Sequence, residues 1–188
     1  MAMIAVPISP DVSRLFREID IDGHRDPSDH ITLFYLGDEI SLDTILDIIP
    51  IIHKVVEDVR PFEATVGKIT SFPKGEDKKE YPIIAEVKSE KLLEIREKIR
   101  KLLDKNKVEY SNDHDEYKPH ITLSFNKKRQ KNLRLPTKAK FMINQIALFG
   151  GDEADSEIFV NFPFSLGVEK KSSDSIVELS EMFLKASR

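Results

Sequence analysis

The 188-residue sequence is long enough to bury most of its apolar side chains in one domain. It contains no cysteine, which excludes disulfide staples, thiolate nucleophiles and sulfur-ligated zinc. A formal net charge of −4 and a pI near 5.8 argue against a protein that coats long nucleic acid, or DNA in general, by phosphate neutralisation. The N-terminal apolar run is too short for a signal peptide, and no later stretch reaches membrane-spanning length. A soluble, cytoplasmic protein without membrane association is therefore the expectation, and a monomer.

Residues 3–8 read as a short apolar strand, and Ser9-Pro10-Asp11 offers a turn and helix start leading into Val12, Leu15, Phe16 and Ile19. A polar loop over 20–29 follows, then the strand His30-Ile31-Thr32-Leu33-Phe34-Tyr35-Leu36, closed by the turn signal Gly37-Asp38. Ser41 is placed to cap a helix on Leu42, Ile45, Leu46, Ile49, Ile52, Val56 and Val59, in which Pro50 must either kink the helix or start a second one.

Strands are expected over 62–71 and 82–87, separated by a charged loop over 73–80. Ser89 then starts a strongly periodic helix on Leu92, Ile95, Ile99, Leu102 and Leu103. After a second polar loop, 106–119, comes the strand His120-Ile121-Thr122-Leu123-Ser124-Phe125. Two further strands, over 140–149 and 158–166, flank the Gly150-Gly151-Asp152 turn, and an amphipathic helix on Ile176, Leu179 and Phe183 ends the chain. Strands and helices mix without regular βαβ alternation, which points to an α+β fold with antiparallel sheets.

The tetrapeptide His-Ile-Thr-Leu occurs twice, at His30 and at His120. With five histidines in the chain, even two chance His-x-Thr matches have a probability on the order of one per cent. A single copy is most often a plain strand, whereas the pair points to chemistry. In a strand, residues i and i+2 project from one face, so each copy presents an imidazole and a hydroxyl together. Ile31, Leu33 and Tyr35, and likewise Ile121, Leu123 and Phe125, are expected on the opposite face. If the halves pack about a pseudo-twofold, two imidazoles and two hydroxyls flank one cleft, suited to acid–base chemistry on a phosphodiester with no cofactor.

The motif pair resembles the two-histidine phosphoesterase superfamily, the group containing the RNA ligase-like cyclic phosphodiesterases and the phage enzymes that destroy cyclic-oligonucleotide signals. Val66-Gly67-Lys68-Ile69-Thr70-Ser71-Phe72-Pro73 is similar to that family's strand ending in Phe-Pro, and Tyr117-Lys118-Pro119-His120 to its approach to the second motif. The resemblance implies a bilobed fold with a central cleft, spanning residues 1–170 with a helical tail over 171–188. It also implies catalytic roles for His30, Thr32, His120 and Thr122, and a small nucleotide or RNA-end substrate. Many ligase-like members follow the second motif with an alanine-arginine pair, where this chain has Ser124-Phe125.

Further candidate substrate contacts are Ser124, Lys127 or Lys128 for charge, and Tyr35, Phe72, Tyr117 and Phe149 for stacking on a base. The basic stretch Lys127, Lys128, Arg129, Lys131, Arg134, Lys138 and Lys140 is either a solvated edge or a phosphate track. Two other classes compete. One is a metallohydrolase using Asp113, His114, Asp115 and His120; the other is a nucleotide-binding module without turnover. Neither explains why both His-Thr pairs are intact.

Overall fold

A computed structural model describes residues 2–25, 29–38, 40–75, 78–111, 117–130, 139–150 and 157–165. The candidate ligands Asp113, His114 and Asp115, the residues Lys131, Arg134 and Lys138 of the basic stretch, and the C-terminal helix lie outside them. The described chain forms strand β1 (Ala2–Pro7), helix α1 (Pro10–Arg17), strands β2 (His24–Arg25) and β3 (His30–Gly37), and helix α2 (Leu42–Val56). Strands β4 (Phe62–Ser71) and β5 (Tyr81–Lys88) follow, then helix α3 (Glu90–Lys105) and strands β6 (His120–Asn126), β7 (Lys140–Ile143), β8 (Gln145–Gly150) and β9 (Glu157–Pro163).

The helices begin where the sequence caps them. Ser41 Oγ accepts from the Thr44 amide at 3.1 Å and Ser89 Oγ from the Leu92 amide at 3.3 Å, each satisfying a donor left over in a first turn. α2 runs unbroken through Pro50, so the proline neither ends it nor starts a second helix; it stops at Val56, short of the expected Val59, which is buried beyond the helix end. Ile48, Ile51, Ile52, Val55 and Val56 form its buried stripe, and Leu92, Ile95, Ile99 and Leu103 that of α3.

Every strand pairing is antiparallel. One sheet has the order β3-β1-β8-β9 and the other β2-β6-β5-β4-β7. Apart from the two-residue β2, the orders correspond strand for strand: β3 with β6, β1 with β5, β8 with β4 and β9 with β7. Each motif strand pairs with the strand that precedes it across a helix, α1 in one case and α3 in the other. This is the bilobed α+β arrangement expected from the repeat.

The segment expected as one strand over 140–149 is in fact two. β7 joins β4 in the second sheet, and after Asn144 the chain crosses to pair with β1 as β8 in the first. Asn144 lies outside both ladders and its carbonyl accepts the Phe164 amide at 2.8 Å. Hydrophobic periodicity continues through this point, so a change of partner left no mark in the pattern.

One contiguous core joins the inner faces of both sheets to α1, α2 and α3, with Ile4, Ile31, Ile69, Ile83, Ile121 and Ile146 fully buried. Each such side chain contributes about 1.5–3 kcal/mol, so apolar burial rather than surface ion pairing holds the layers together. On the reverse face of the first sheet lies a separate small cluster of Met3, Ala5, Ala147 and Phe149.

The loop over 20–29 contains a strand that the sequence did not reveal. β2 pairs His24 with Phe125 and Arg25 with Ser124, and Arg25 fastens it by donating to the Phe16 carbonyl at 3.0 Å and to the Ile19 carbonyl. Gly23 makes the approach possible: its φ is +113°, and an added Cβ would lie 2.2 Å from the Phe125 carbonyl oxygen. Replacing Gly23 with alanine should therefore destabilise the fold by roughly 2–3 kcal/mol, read as a lower thermal midpoint, with helical circular dichroism retained below it.

Candidate active site

β3 and β6 lie against each other, so the two His-Ile-Thr-Leu strands meet where the sheets adjoin. Both carry the same irregularity. In β3, Thr32 sits opposite Ala5 and Phe34 opposite Ile4, leaving Leu33 as an extra residue. In β6, Thr122 sits opposite Ile84 and Ser124 opposite Ile83, leaving Leu123 extra. Each motif thus ends in a β-bulge at its leucine, which puts two consecutive side chains on the core side and reverses the alternation beyond.

The strict alternation expected from the sequence consequently fails after the motif. Tyr35, opposite Met3, shares the face of His30 and Thr32, and Phe125, opposite Pro82, shares that of His120 and Thr122. Ser124 moves the other way. It has no solvent exposure, and its hydroxyl donates to the Asp22 carbonyl at 3.4 Å, so it sits behind the surface on which alternation had placed it.

Each histidine packs on a phenylalanine. The His30 and Phe149 ring centroids are 5.7 Å apart, and those of His120 and Phe72 are 4.7 Å apart, edge to face. Phe149 lies near the end of β8 and Phe72 follows β4, which are corresponding strands of the two sheets. These two aromatics therefore stand beside the imidazoles at matching positions in the two sheets. His120 Nδ1 lies 2.7 Å from the Lys118 carbonyl oxygen. A carbonyl only accepts, so Nδ1 carries the proton of the neutral ring and Nε2 is left as the basic nitrogen. Thr32 Oγ1 points to Met3 Sδ at 3.7 Å.

Tyr117 is engaged through both its hydroxyl and its ring. Its hydroxyl donates to the Thr32 carbonyl at 2.9 Å, and the Arg96 guanidinium carbon lies 4.0 Å from its ring centroid. Arg96 also lies 4.7 Å from the Phe34 ring and donates through Nε to the Leu33 carbonyl at 3.1 Å. Arg96 did not stand out in the sequence because α3 carries many charged residues. Its position beside Ile95 and four residues after Leu92 puts it at the margin of the buried stripe, and that margin was the available signal.

Two more residues were missed on the face of the second motif. Glu86 sits directly opposite His120, and Lys68 Nζ lies 3.4 Å from its carboxylate. Gly67 permits this, since an added Cβ there would lie 3.1 Å from Glu86 Cβ. Lys127 and Lys128 are exposed just past β6. Tyr35 donates to Asp38 Oδ1. Among the described residues there is no group of three His, Asp or Glu side chains able to hold a metal ion, and no helix is long and apolar enough to cross a membrane.

Residues 7–155 match the model of the 2′-5′ RNA ligase superfamily. The chain belongs to that family, the two-histidine phosphoesterases, and is an enzyme of this class. No curated protein matches it by sequence. Among solved structures, TT0787 of Thermus thermophilus is 20% identical with a TM-score of 0.68, over 87% of this chain and 97% of that one. E. coli LigT complexed with 3′-AMP is 12% identical with a TM-score of 0.63, over 87% and 97%. The MHV ns2 PDE domain is 12% identical with a TM-score of 0.54, over 78% and 97%. At these identities the likeness is one of fold.

Burial raises the Tyr117 hydroxyl well above the ordinary tyrosine range, and the nearby Arg96 charge only partly offsets this. A group whose pKa is higher folded than unfolded contributes stability below its unfolded pKa and loses it as pH rises. Unfolding free energy should thus decline as pH climbs past about 10, and Tyr117→Phe should flatten that decline in denaturant titrations. An equal alkaline slope in both proteins would contradict the burial of this hydroxyl.

Proposed function

We propose that the chain hydrolyses a phosphodiester of a small ribonucleotide, either a 2′,3′-cyclic phosphate or a cyclic oligonucleotide, without a metal ion. His30 and His120 carry the protons, and Thr32 and Thr122 donate to the phosphate oxygens. The observation that carries this reading is the doubled motif: two identical His-Ile-Thr-Leu strands, bulged at the same leucine and set against each other where two corresponding sheets adjoin. The E. coli LigT structures, complexed with 3′-AMP, ATP, NADP+ and phosphate, add support for a ligand of nucleotide and phosphate chemistry.

The reaction needs one proton taken and one given. In opening a 2′,3′-cyclic phosphate, one imidazole removes a proton from water as its oxygen attacks phosphorus, and the other protonates the ribose oxygen as its bond to phosphorus breaks. The proton count closes within the pair, and the product is a phosphomonoester. Negative charge building on the phosphoryl oxygens is met by the threonine hydroxyls, which are held on strands and so need little reorganisation. Lys68 stands on the face of His120, and Lys127 and Lys128 lie past the end of the same strand. These lysines supply positive charge near the site in place of the arginine that many ligase-like members carry. Tyr35 and Phe125, brought to the site face by the bulges, offer rings to a base.

The test is turnover of a panel of 2′,3′-cyclic nucleotides, 2′–5′ oligomers and cyclic di- and trinucleotides in excess chelator, with products identified by mass. His30→Ala or His120→Ala should each lower kcat by about 10²–10⁴-fold, with Thr32→Ala and Thr122→Ala costing less because each removes a donor and not a proton carrier. The rate should follow a bell-shaped pH profile. Full activity in the double histidine variant, or complete loss in chelator, would overturn the proposal.

A further inference from the structure

We infer that Tyr117 and Arg96 are positioning residues that set the first His-Thr pair for the reaction through the backbone of β3, without touching the substrate; this rests on the hydrolysis proposed above. Among the described residues β3 is the outer strand of its sheet, so no neighbouring strand among them donates to the carbonyls along its open side. The donors that reach it come from elsewhere in the fold: Tyr117 to the Thr32 carbonyl at 2.9 Å, Arg96 to the Leu33 carbonyl at 3.1 Å and the Ser111 amide to the Tyr35 carbonyl at 2.8 Å.

Thr32 and Leu33 are the residues at which the strand bulges. A bulge can relax along the strand unless something fixes it, and relaxation here would turn the Thr32 hydroxyl and the His30 ring together, since both belong to the same pleat. The two donors are themselves held rigidly. The guanidinium is stacked between the Tyr117 and Phe34 rings at 4.0 and 4.7 Å, and Phe34 packs edge-on against Tyr110 at 5.1 Å.

The same short segment serves the second motif. Lys118, next to Tyr117, offers the carbonyl that lies 2.7 Å from His120 Nδ1. Residues 117 and 118 therefore hold a backbone oxygen of one His-Thr strand and a ring nitrogen of the other, which ties the two pairs to one piece of chain. On β6 the outer edge instead receives β2, which pairs with Ser124 and Phe125 just past the second motif, so among the described residues the two motifs are held at their edges by different elements.

Tyr117→Phe keeps the ring under Arg96 and removes only the donor. It should lower kcat roughly ten- to a hundredfold while KM changes by less than about threefold. The same change made in Thr32→Ala should cost distinctly less than in the wild type, because much of what the hydroxyl positions is already gone. Arg96→Lys retains the charge but not the fork geometry, and should fall in kcat in the same sense. An unchanged kcat in Tyr117→Phe, a loss confined to KM, or full additivity with Thr32→Ala would overturn the inference while leaving the proposed hydrolysis intact. The NMR resonances of the Thr32 methyl and His30 ring, recorded without substrate, give a second readout. They should shift in both variants, and unmoved resonances overturn the inference even if no substrate of the panel is turned over.

Discussion

A strand at the edge of a sheet has one row of carbonyl groups with nothing to receive from, and in β3 that row belongs to the residues on which the site depends. The Thr32 and Leu33 carbonyls are satisfied by Tyr117 and Arg96, which arrive from beyond β5. An unsatisfied buried carbonyl costs about 1–3 kcal/mol, so the fold gains by bringing the halves together at this line. The meeting of β3 and β6 then follows from the same contacts that complete the edge. Local backbone chemistry and the geometry of the proposed catalytic groups are in this way one constraint.

The apolar core supplies the remainder. α2 and α3 cover the sheets with isoleucine, leucine and valine, leaving the opposite faces for polar function. On the first sheet the reverse face carries a small apolar patch of Met3, Ala5, Ala147 and Phe149. The two alanines at its centre leave room in front of the strand, and Phe149 gives the His30 ring a wall to lean on. On the second sheet the corresponding floor is Ile84 with the Lys68–Glu86 pair. The pseudo-symmetry is thus one of backbone and motif, while the surroundings of the two histidines differ in polarity.

Much of this was legible in the sequence. The two His-Ile-Thr-Leu strands, the serine-capped helices at Ser41 and Ser89, and the antiparallel α+β class all follow from spacing and periodicity. What escaped has a common physical origin, namely that a bulge or a change of strand partner alters geometry without altering composition. Leu33 and Leu123 look like ordinary alternating residues, yet each shifts the residues just after it to the other face, in β3 as far as a second shift at Leu36. This is why Ser124 is buried and Phe125 and Tyr35 are not where alternation puts them. Asn144 likewise lies inside an uninterrupted β-type pattern and still marks the crossing from one sheet to the other. Arg96 was hidden by the many charges of α3, because helical periodicity identifies a buried stripe more readily than the polar residue at its margin.

The crossing at Asn144 also bears on how the molecule is put together. The second sheet, β2 apart, is drawn from one unbroken stretch, β4 through β7, whereas the first collects β1 and β3 from before that stretch and β8 and β9 from after it. Symmetry in space is therefore not symmetry along the chain: β8 and then β9 lie beyond β1 as β4 and then β7 lie beyond β5, but they are connected in a different order. Cutting the polypeptide between α2 and β4 would not yield two equivalent lobes. It would strand the first motif on a sheet lacking half its strands, and leave those strands tethered to the wrong lobe.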